Sequence, residues 1–480
     1  MNSHSHYDLV VIGSGPGGQK AAVQGAKAGR RVALIESERQ VGGACVYQGT
    51  IPSKTLREAA LTLMRFKRDA SIFNVALREG LEVSSLMSRL DQVLAAHHKF
   101  ISEHIESNGI DLFHGRARLS GARAVEVRFL DGSRKTLGAD QIIIATGSRP
   151  RTPPEIPVDH EHILDSDSIL SMIYLPRSLT VLGGGVISCE YASIFSLLGV
   201  EVTLIDKASR PMNFLDPELT AKFVSHFERY SGRFLGQRQT RSVRWDGRTQ
   251  VVAELDSGEV IRSDKMLVAL GRSANVEGLG LETAGIELTS RGHIKVDEHY
   301  RTSAPNIFAV GDVIGHPALA ACSMEQGRRA ICHALNIDPG HAFEIVPIGI
   351  YAVPEIASVG LTEEQARQQY GDILVGRAQF DEIARGQIAG IQDGLLKMVA
   401  DPQGNRILGV QIVGDGATDL IHVGELALLN HNNVSVFLEN ILNFPTLGEA
   451  YRVAALNLLN EARLRGERAL SLSEKIRAAA

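Results

Sequence analysis

The sequence has no apolar run near the ~18 residues of a membrane-spanning helix, so it predicts no helical span. It has no excess of basic charge either: 50 Lys and Arg stand against 55 Asp and Glu, a formal net charge of −5. That balance leaves no electrostatic footprint for nucleic acid or for an anionic membrane surface. Cysteine is scarce, with four residues in 480. Cys45, Cys189, Cys322 and Cys332 form no C-x-x-C and no extracellular spacing pattern, which argues against both a disulfide scaffold and a zinc site. The pairs His4 with His6 and His97 with His98 read as solvated surface, and no metal is expected. The stretch Met1-Asn-Ser-His-Ser-His6 carries no apolar signal-peptide core, so a soluble cytoplasmic protein is expected.

What is present is a repeat. Asp8-Leu-Val-Val-Ile-Gly13-Ser-Gly15-Pro-Gly-Gly18 leads to Val32-Ala-Leu-Ile-Glu36, and 170 positions later Leu179-Thr-Val-Leu-Gly183-Gly-Gly185-Val-Ile-Ser188 leads to Val202-Thr-Leu-Ile-Asp206. Each copy is an apolar strand, a glycine turn, a helix start and a second strand that ends in a carboxylate. Gly13 permits the bend, Gly15 lets backbone N–H groups approach a pyrophosphate, and Gly18 lets helix and strand pack closely. The helix N-terminus then faces phosphate charge, while Glu36 and Asp206 can accept hydrogen bonds from ribose hydroxyls. Ser188 replaces the third glycine in the second copy. Two copies in matching register predict two bound dinucleotides.

With 44% hydrophobic and 22% charged residues, the composition is that of an ordinary globular protein, and the length suggests about three domains. A glycine-rich loop, Val41-Gly42-Gly43-Ala-Cys45, precedes helical periodicity from Ile51 to about Asn108, and strands follow from Leu112. Gln141-Ile-Ile-Ile-Ala-Thr-Gly147 reads as a buried strand ending in a turn, and the prolines after it mark a boundary. Met266-Leu-Val-Ala-Leu-Gly271-Arg272 repeats that ending, and Thr302 to Gly311-Asp312 returns the chain to the first domain. From about Val346 strand-like runs over 348–359 and 395–413 precede helices, an α+β pattern. The charged stretch from Glu461 to Ala480 reads as a solvated helical extension. The expected fold is α/β: two Rossmann-like dinucleotide-binding domains, the first over 1–150 and 276–345, the second over 151–275, and an α+β domain over 346–480.

These residues resemble the flavoprotein disulfide reductase superfamily. The resemblance rests on the Gly13 motif with Glu36, the loop from Gly42 and Gly43 through Cys45 to Lys54, Ala145-Thr-Gly147, the Gly183 motif with Glu190, Gly271-Arg272 and Gly311-Asp312. It implies FAD on the first unit, held at its hydroxyls by Glu36 and Asp312, a nicotinamide dinucleotide on the second, and a C-terminal dimerisation domain forming a homodimer. Read without the family, Asp312 could instead cap a helix. The sulfur chemistry is missing twice. Thr50 stands where the second cysteine of the redox pair belongs, and Phe444, before Pro445-Thr446-Leu-Gly-Glu449, stands where the proton-shuttling histidine belongs. Disulfide exchange needs a second thiolate, and Phe444 has no titratable proton. Cys45 then reads as a small packing residue beside the flavin, the alternative being a lone reactive thiol.

This combination is similar to the soluble, Si-specific NAD(P) transhydrogenases, on Gly49-Thr50-Ile-Pro-Ser-Lys54, Asp165-Ser-Asp-Ser-Ile169, Cys189-Glu190-Tyr-Ala-Ser-Ile-Phe195, Gly349-Ile-Tyr-Ala-Val-Pro-Glu355 and Asn443-Phe-Pro-Thr446 through Leu456. Val46-Tyr47, Phe444 and the charged tail depart from that family. The resemblance implies ping-pong hydride transfer from NADPH to FAD and on to NAD, with Lys54 and Glu190 as the catalytic ion pair beside the flavin, placing the nicotinamide and stabilising charge on the reduced isoalloxazine, the alternative being a surface pair worth under about 1 kcal/mol. Asp206 suits the 2′-hydroxyl of NAD, while Lys207 and Arg210 offset its repulsion of the NADP phosphate, unless they are merely solvated loop charges. The competing readings are a disulfide reductase using Cys45 with an external thiol, a quinone or oxygen reductase, and a non-catalytic sensor of the nicotinamide pool.

Overall fold

The computed structural model describes residues 5–73, 83–341, 343–391 and 393–479, so His4 lies outside the described residues. The chain divides into two compact units, 1–59 with 74–175 and 269–342, and 60–73 with 176–268 and 343–480.

In the first unit the strand Ser5–Ile12 pairs in parallel with Val32–Glu36 on one side and Arg134–Ile144 on the other. Asp111–Gly121 and Ile307–Ala309 extend the parallel sheet outward. All five residues of Val32–Glu36 are buried, the pattern of a parallel strand covered on both faces. Asp111–Gly121 and Arg134–Ile144 run on past the parallel region and sandwich Ala124–Phe129 in an antiparallel ribbon. The expected helical stretch is realised as Thr50–Phe73 and Val83–Ser107. The helix Pro16–Lys27 turns its apolar face, including Ala21, Ala22 and Val23, into the core with Leu9, Val11 and Leu34. Its proline sits where no intrahelical N–H is needed.

In the second unit Ser178–Leu182 lies between Glu201–Ile205 and Lys265–Val268, with Gly232–Leu235 beyond, all parallel. The C-terminal part is an antiparallel sheet in the order Ile348–Ile350, Ile356–Gly360, Ile407–Val413, Leu395–Ala400, Leu374–Gln379. The helices Ala417–Leu429 and Glu449–Ala479 share its core, where Tyr451 is fully buried and its hydroxyl donates to the Leu420 carbonyl at 2.6 Å. The expected solvated tail is corrected at its start. Arg465 donates to the Ile373 carbonyl and to Asp372, while Glu461 accepts from the Val375 N–H, so these turns are docked on the sheet. Among the described residues no helix is long and apolar enough to cross a membrane.

One ionic knot centred on a buried lysine ties the C-terminal sheet to the N-termini of the helices Pro217–Arg229 and Glu363–Tyr370. Lys397, 3% exposed, places Nζ 2.9 Å from Asp216, 2.6 Å from Glu218 and 2.6 Å from Glu363. Arg377 reaches Glu218 and Glu363 as well. Asp216 is completely buried and also caps the helix Pro217–Arg229 by accepting from the Glu218 N–H. Burial pushes Glu363 up, but the Lys397 hydrogen bond and the nearby cations outweigh it and carry the carboxyl down to about 2. Removing one partner of such a group strands the others without compensation. Lys397→Met is expected to cost about 3–5 kcal/mol of unfolding free energy, measured by urea denaturation; a loss of under about 1 kcal/mol, the worth of a surface pair, would show that the knot is solvated.

Candidate functional site

The first cradle begins where the strand Ser5–Ile12 stops. Gly13 has φ +100°, a left-handed bend that disfavours any side chain. A Cβ on Gly18 would lie 1.9 Å from the Gly13 carbonyl oxygen, so only glycine lets the helix come down onto the turn. Gly15 has φ −65° and ψ 179°, extended backbone open to any residue, and a Cβ there would meet nothing within 4 Å. The space in front of the helix N-terminus is therefore open, with N–H groups and dipole facing it.

Glu36 closes this cradle. Its carboxylate is 5% exposed and accepts from the Ser14 N–H at 3.0 Å, the Ser14 hydroxyl, the Glu38 N–H at 2.9 Å and the Ser37 hydroxyl at 3.2 Å. Ser14 Oγ accepts in turn from the Gly42 N–H at 3.0 Å. The sequence reading missed Ser14, although its place between two glycines of the motif was a usable signal. Gly43 packs against the turn, where a Cβ would stand 2.8 Å from the Gly15 Cα.

The remaining residues of the first unit gather on two returning segments. Gly147 accepts from the Asn275 N–H, and Gly271 accepts from the Arg151 N–H. Gly311 donates its N–H to Gln326 at 2.8 Å. Asp312 is not a helix cap: the short 3-10 helix Gly311–Ile314 has no side-chain cap. Its Oδ2 accepts instead from the Ser148 hydroxyl at 2.7 Å, and Ser148 Oγ accepts from Arg272 Nε at 2.7 Å. Cys45 lies close enough to the Thr50 side chain, Lys54 and Asp312 for each to bear on its thiol. Burial pushes its thiol up more than Thr50 and Lys54 lower it, so the protonated form is favoured. None of the four cysteines is in a disulfide.

The second cradle repeats the first in its own unit. Gly183 has φ +103°, and Gly185, at φ −79° and ψ −176°, again faces open space. Ser188, in the place of Gly18, is fully buried. Close approach has moved to Gly184, where a Cβ would lie 2.1 Å from Asp206 Oδ2. The Gly184 carbonyl also accepts from the Met212 N–H at 2.7 Å, folding the loop after Asp206 across the turn. Lys207 is exposed on that loop, whereas Arg210 donates to the Leu215 carbonyl at 2.6 Å and is partly committed. Glu190, 5% exposed, accepts from the Tyr351 N–H at 2.9 Å. Lys54 belongs to the first unit, in the opening turn of Thr50–Phe73. Phe444 is 69% exposed.

Two strand–turn–helix cradles with terminal carboxylates define a protein built to hold two dinucleotides. Residues 7–327 match the pyridine nucleotide-disulphide oxidoreductase family and residues 346–455 its dimerisation domain, and the chain belongs to that family. It is 40% identical to the soluble pyridine nucleotide transhydrogenase of Marinomonas sp. (strain MWYL1) over 458 residues, covering 95% of this chain and 98% of the relative. The enzyme of the same description from Yersinia pestis (strain Pestoides F) is 40% identical over 465 residues, covering 96% and 99%. Among solved structures, the Cu(II) complex of the HOCl-induced flavoprotein disulfide reductase RclA from Escherichia coli superposes with a TM-score of 0.86 at 26% identity, covering 94% of this chain and 99% of that one. LpdA from Mycobacterium tuberculosis gives a TM-score of 0.86 at 26% identity, covering 95% and 99%.

The two glycines of the first turn are required for different reasons, and stability separates them. In ligand-free protein Gly18→Ala is expected to lose about 3 kcal/mol or more through overpacking. Gly15→Ala should stay within about 1 kcal/mol of wild type. Equal losses in urea unfolding would refute the distinction.

Proposed function

We propose that the chain is a soluble, cytoplasmic, FAD-dependent pyridine nucleotide transhydrogenase that acts as a homodimer and catalyses NADPH + NAD+ → NADP+ + NADH. The observation that carries the reading is the pairing of two intact dinucleotide cradles with Thr50 beside Cys45, where thiol exchange would need a second sulfur. The first cradle fits FAD: its helix N-terminus opens on space that a side chain at Gly15 would fill, and the carboxylates of Glu36 and Asp312 are held in place from the protein side. When bound, FAD supplies a two-electron store whose N5 accepts hydride from one reduced nicotinamide and delivers it to the other coenzyme.

The chain's own task is to place, select and exclude. The N-termini of Pro16–Lys27 and Val186–Leu197 receive the two pyrophosphates. Lys54 and Glu190 place the nicotinamide, and the Tyr351 N–H fixes the Glu190 carboxylate from behind. Asp206 accepts from the ribose of NAD, while Lys207 and the remaining donors of Arg210 compensate the extra phosphate of NADP. No general acid or base is required by a hydride exchange, which agrees with Phe444 standing where a proton carrier would. The family's dimerisation domain supports the homodimer.

Purified yellow protein given NADPH and a thio-analogue of NAD is expected to turn over with parallel-line ping-pong kinetics, and slowly or not at all with lipoamide, glutathione disulfide or a quinone. Protein lacking FAD, or faster reduction of a disulfide, would overturn the reading. Asp206→Ala is expected to lower KM for NADP(H) and raise it for NAD(H), each by about fivefold to tenfold, the worth of one hydrogen bond. An unchanged ratio between the coenzymes would remove Asp206 from selection.

A further inference from the structure

Arg272 opens the short strand Arg272–Ala274 in the first unit, and its side chain turns to Ser148. Its Nε donates to Ser148 Oγ at 2.7 Å and its Nη2 to the Ser148 carbonyl at 2.7 Å. One guanidinium thus holds both oxygens of a residue that is 8% exposed. Ser148 and Arg272 lie on opposed strands, Ser148–Pro150 and Arg272–Ala274, which pair antiparallel with Arg272 across from Pro150. While it accepts from Nε, the Ser148 hydroxyl donates its one proton to Asp312 Oδ2 at 2.7 Å.

Behind the guanidinium stands the Asp165-Ser-Asp-Ser-Ile169 motif. Asp165 knits its own turn, accepting from the Asp167 N–H at 3.1 Å and from the Ser168 N–H and hydroxyl at 2.8 and 2.7 Å. That turn holds Asp167 within electrostatic reach of Arg272; burial pushes the Asp167 carboxyl up and the guanidinium pulls it back. The result is a line from Asp167 through Arg272 and Ser148 to Asp312.

We propose that Arg272 is a positioning residue for the FAD, acting through Ser148 on the carboxylate of Asp312. The guanidinium is charged at any working pH. It fixes the serine rotor and polarises its hydroxyl, so that one Asp312 oxygen is committed to protein and the other is presented to the cofactor's hydroxyls. This role rests on the reading of the first cradle as an FAD site.

The test is the rate of FAD release from holoenzyme on dilution, followed by the fluorescence of the freed flavin. Ser148→Ala and Arg272→Met are each expected to speed release by about tenfold or more, as for loss of a charge-assisted hydrogen bond. The double variant should be no faster than the faster single, because both changes break one line, and Ser148→Thr should release at the wild-type rate. Arg272→Lys, which keeps the charge but not the two-pronged grip, should fall between, and it decides the matter where a truncation fails to fold. Wild-type release from Arg272→Lys together with Ser148→Ala or Arg272→Met, or additive effects in the double variant, would overturn the proposal. A wild-type protein that carries no FAD would instead overturn the cofactor reading beneath it, a result that needs no variant.

Discussion

The architecture depends on how closely backbone can approach backbone at two turns. At Gly18 the helix comes down on the Gly13 carbonyl to a distance no Cβ tolerates, and that descent aims the first N–H groups into open space. In the second copy the buried Ser188 occupies that place, and the contact moves to Gly184, whose bare Cα seats the Asp206 carboxylate. The same strand–turn–helix is thus closed in two ways. Ser14 in one copy and Gly184 in the other occupy equivalent positions, and each meets the carboxylate 22 residues on, Glu36 or Asp206.

That one position changes the character of the cradle. Around Glu36 two backbone N–H groups and two serine hydroxyls converge on a buried carboxylate, and Ser14 also ties in the loop at Gly42. A carboxylate fixed before its ligand arrives costs little to order on binding, which suits a group that stays. Asp206 sits on a turn overlaid by the loop to Leu215, where cations and a carboxylate share the surface. A mixed-charge rim of that kind penalises neither a hydroxyl nor a phosphate severely.

Both cradles were legible in the sequence because the cause is local: apolar strand, glycine at set spacing and terminal carboxylate lie within one βαβ unit. The change to an α+β pattern near Val346 was legible for the same reason, as alternation has a period. What was hidden joins residues far apart. Lys397 meets Asp216 across 181 positions, Tyr351 meets Glu190 across 161, and Ser148 meets Asp312 across 164. A serine or lysine in a strand carries no mark of its distant partner, and a buried ionic knot looks in sequence like surface charge. The tail misled similarly: Glu461 and Arg465 read as solvated, yet they bond the backbone of the strand beside them.

The loop that carries Cys45 and Thr50 is tied to the first turn through Gly42 and Gly43, so the two positions where disulfide chemistry would be built lie beside the nucleotide cradle without forming its glycine turns. Disulfide chemistry needs a second sulfur within bonding distance of Cys45 and a titratable group to take its proton. The neighbour of Cys45 is a hydroxyl and the thiol's environment favours the protonated form. Thr50 opens the helix Thr50–Phe73, and Phe444 lies in an exposed segment before the helix Glu449–Ala479. The glycine contacts tolerate almost no substitution, whereas Thr50 and Phe444 are both exposed and bear no comparable steric demand. A threonine at position 50 and a phenylalanine at position 444 therefore leave the glycine-built turns of the fold intact.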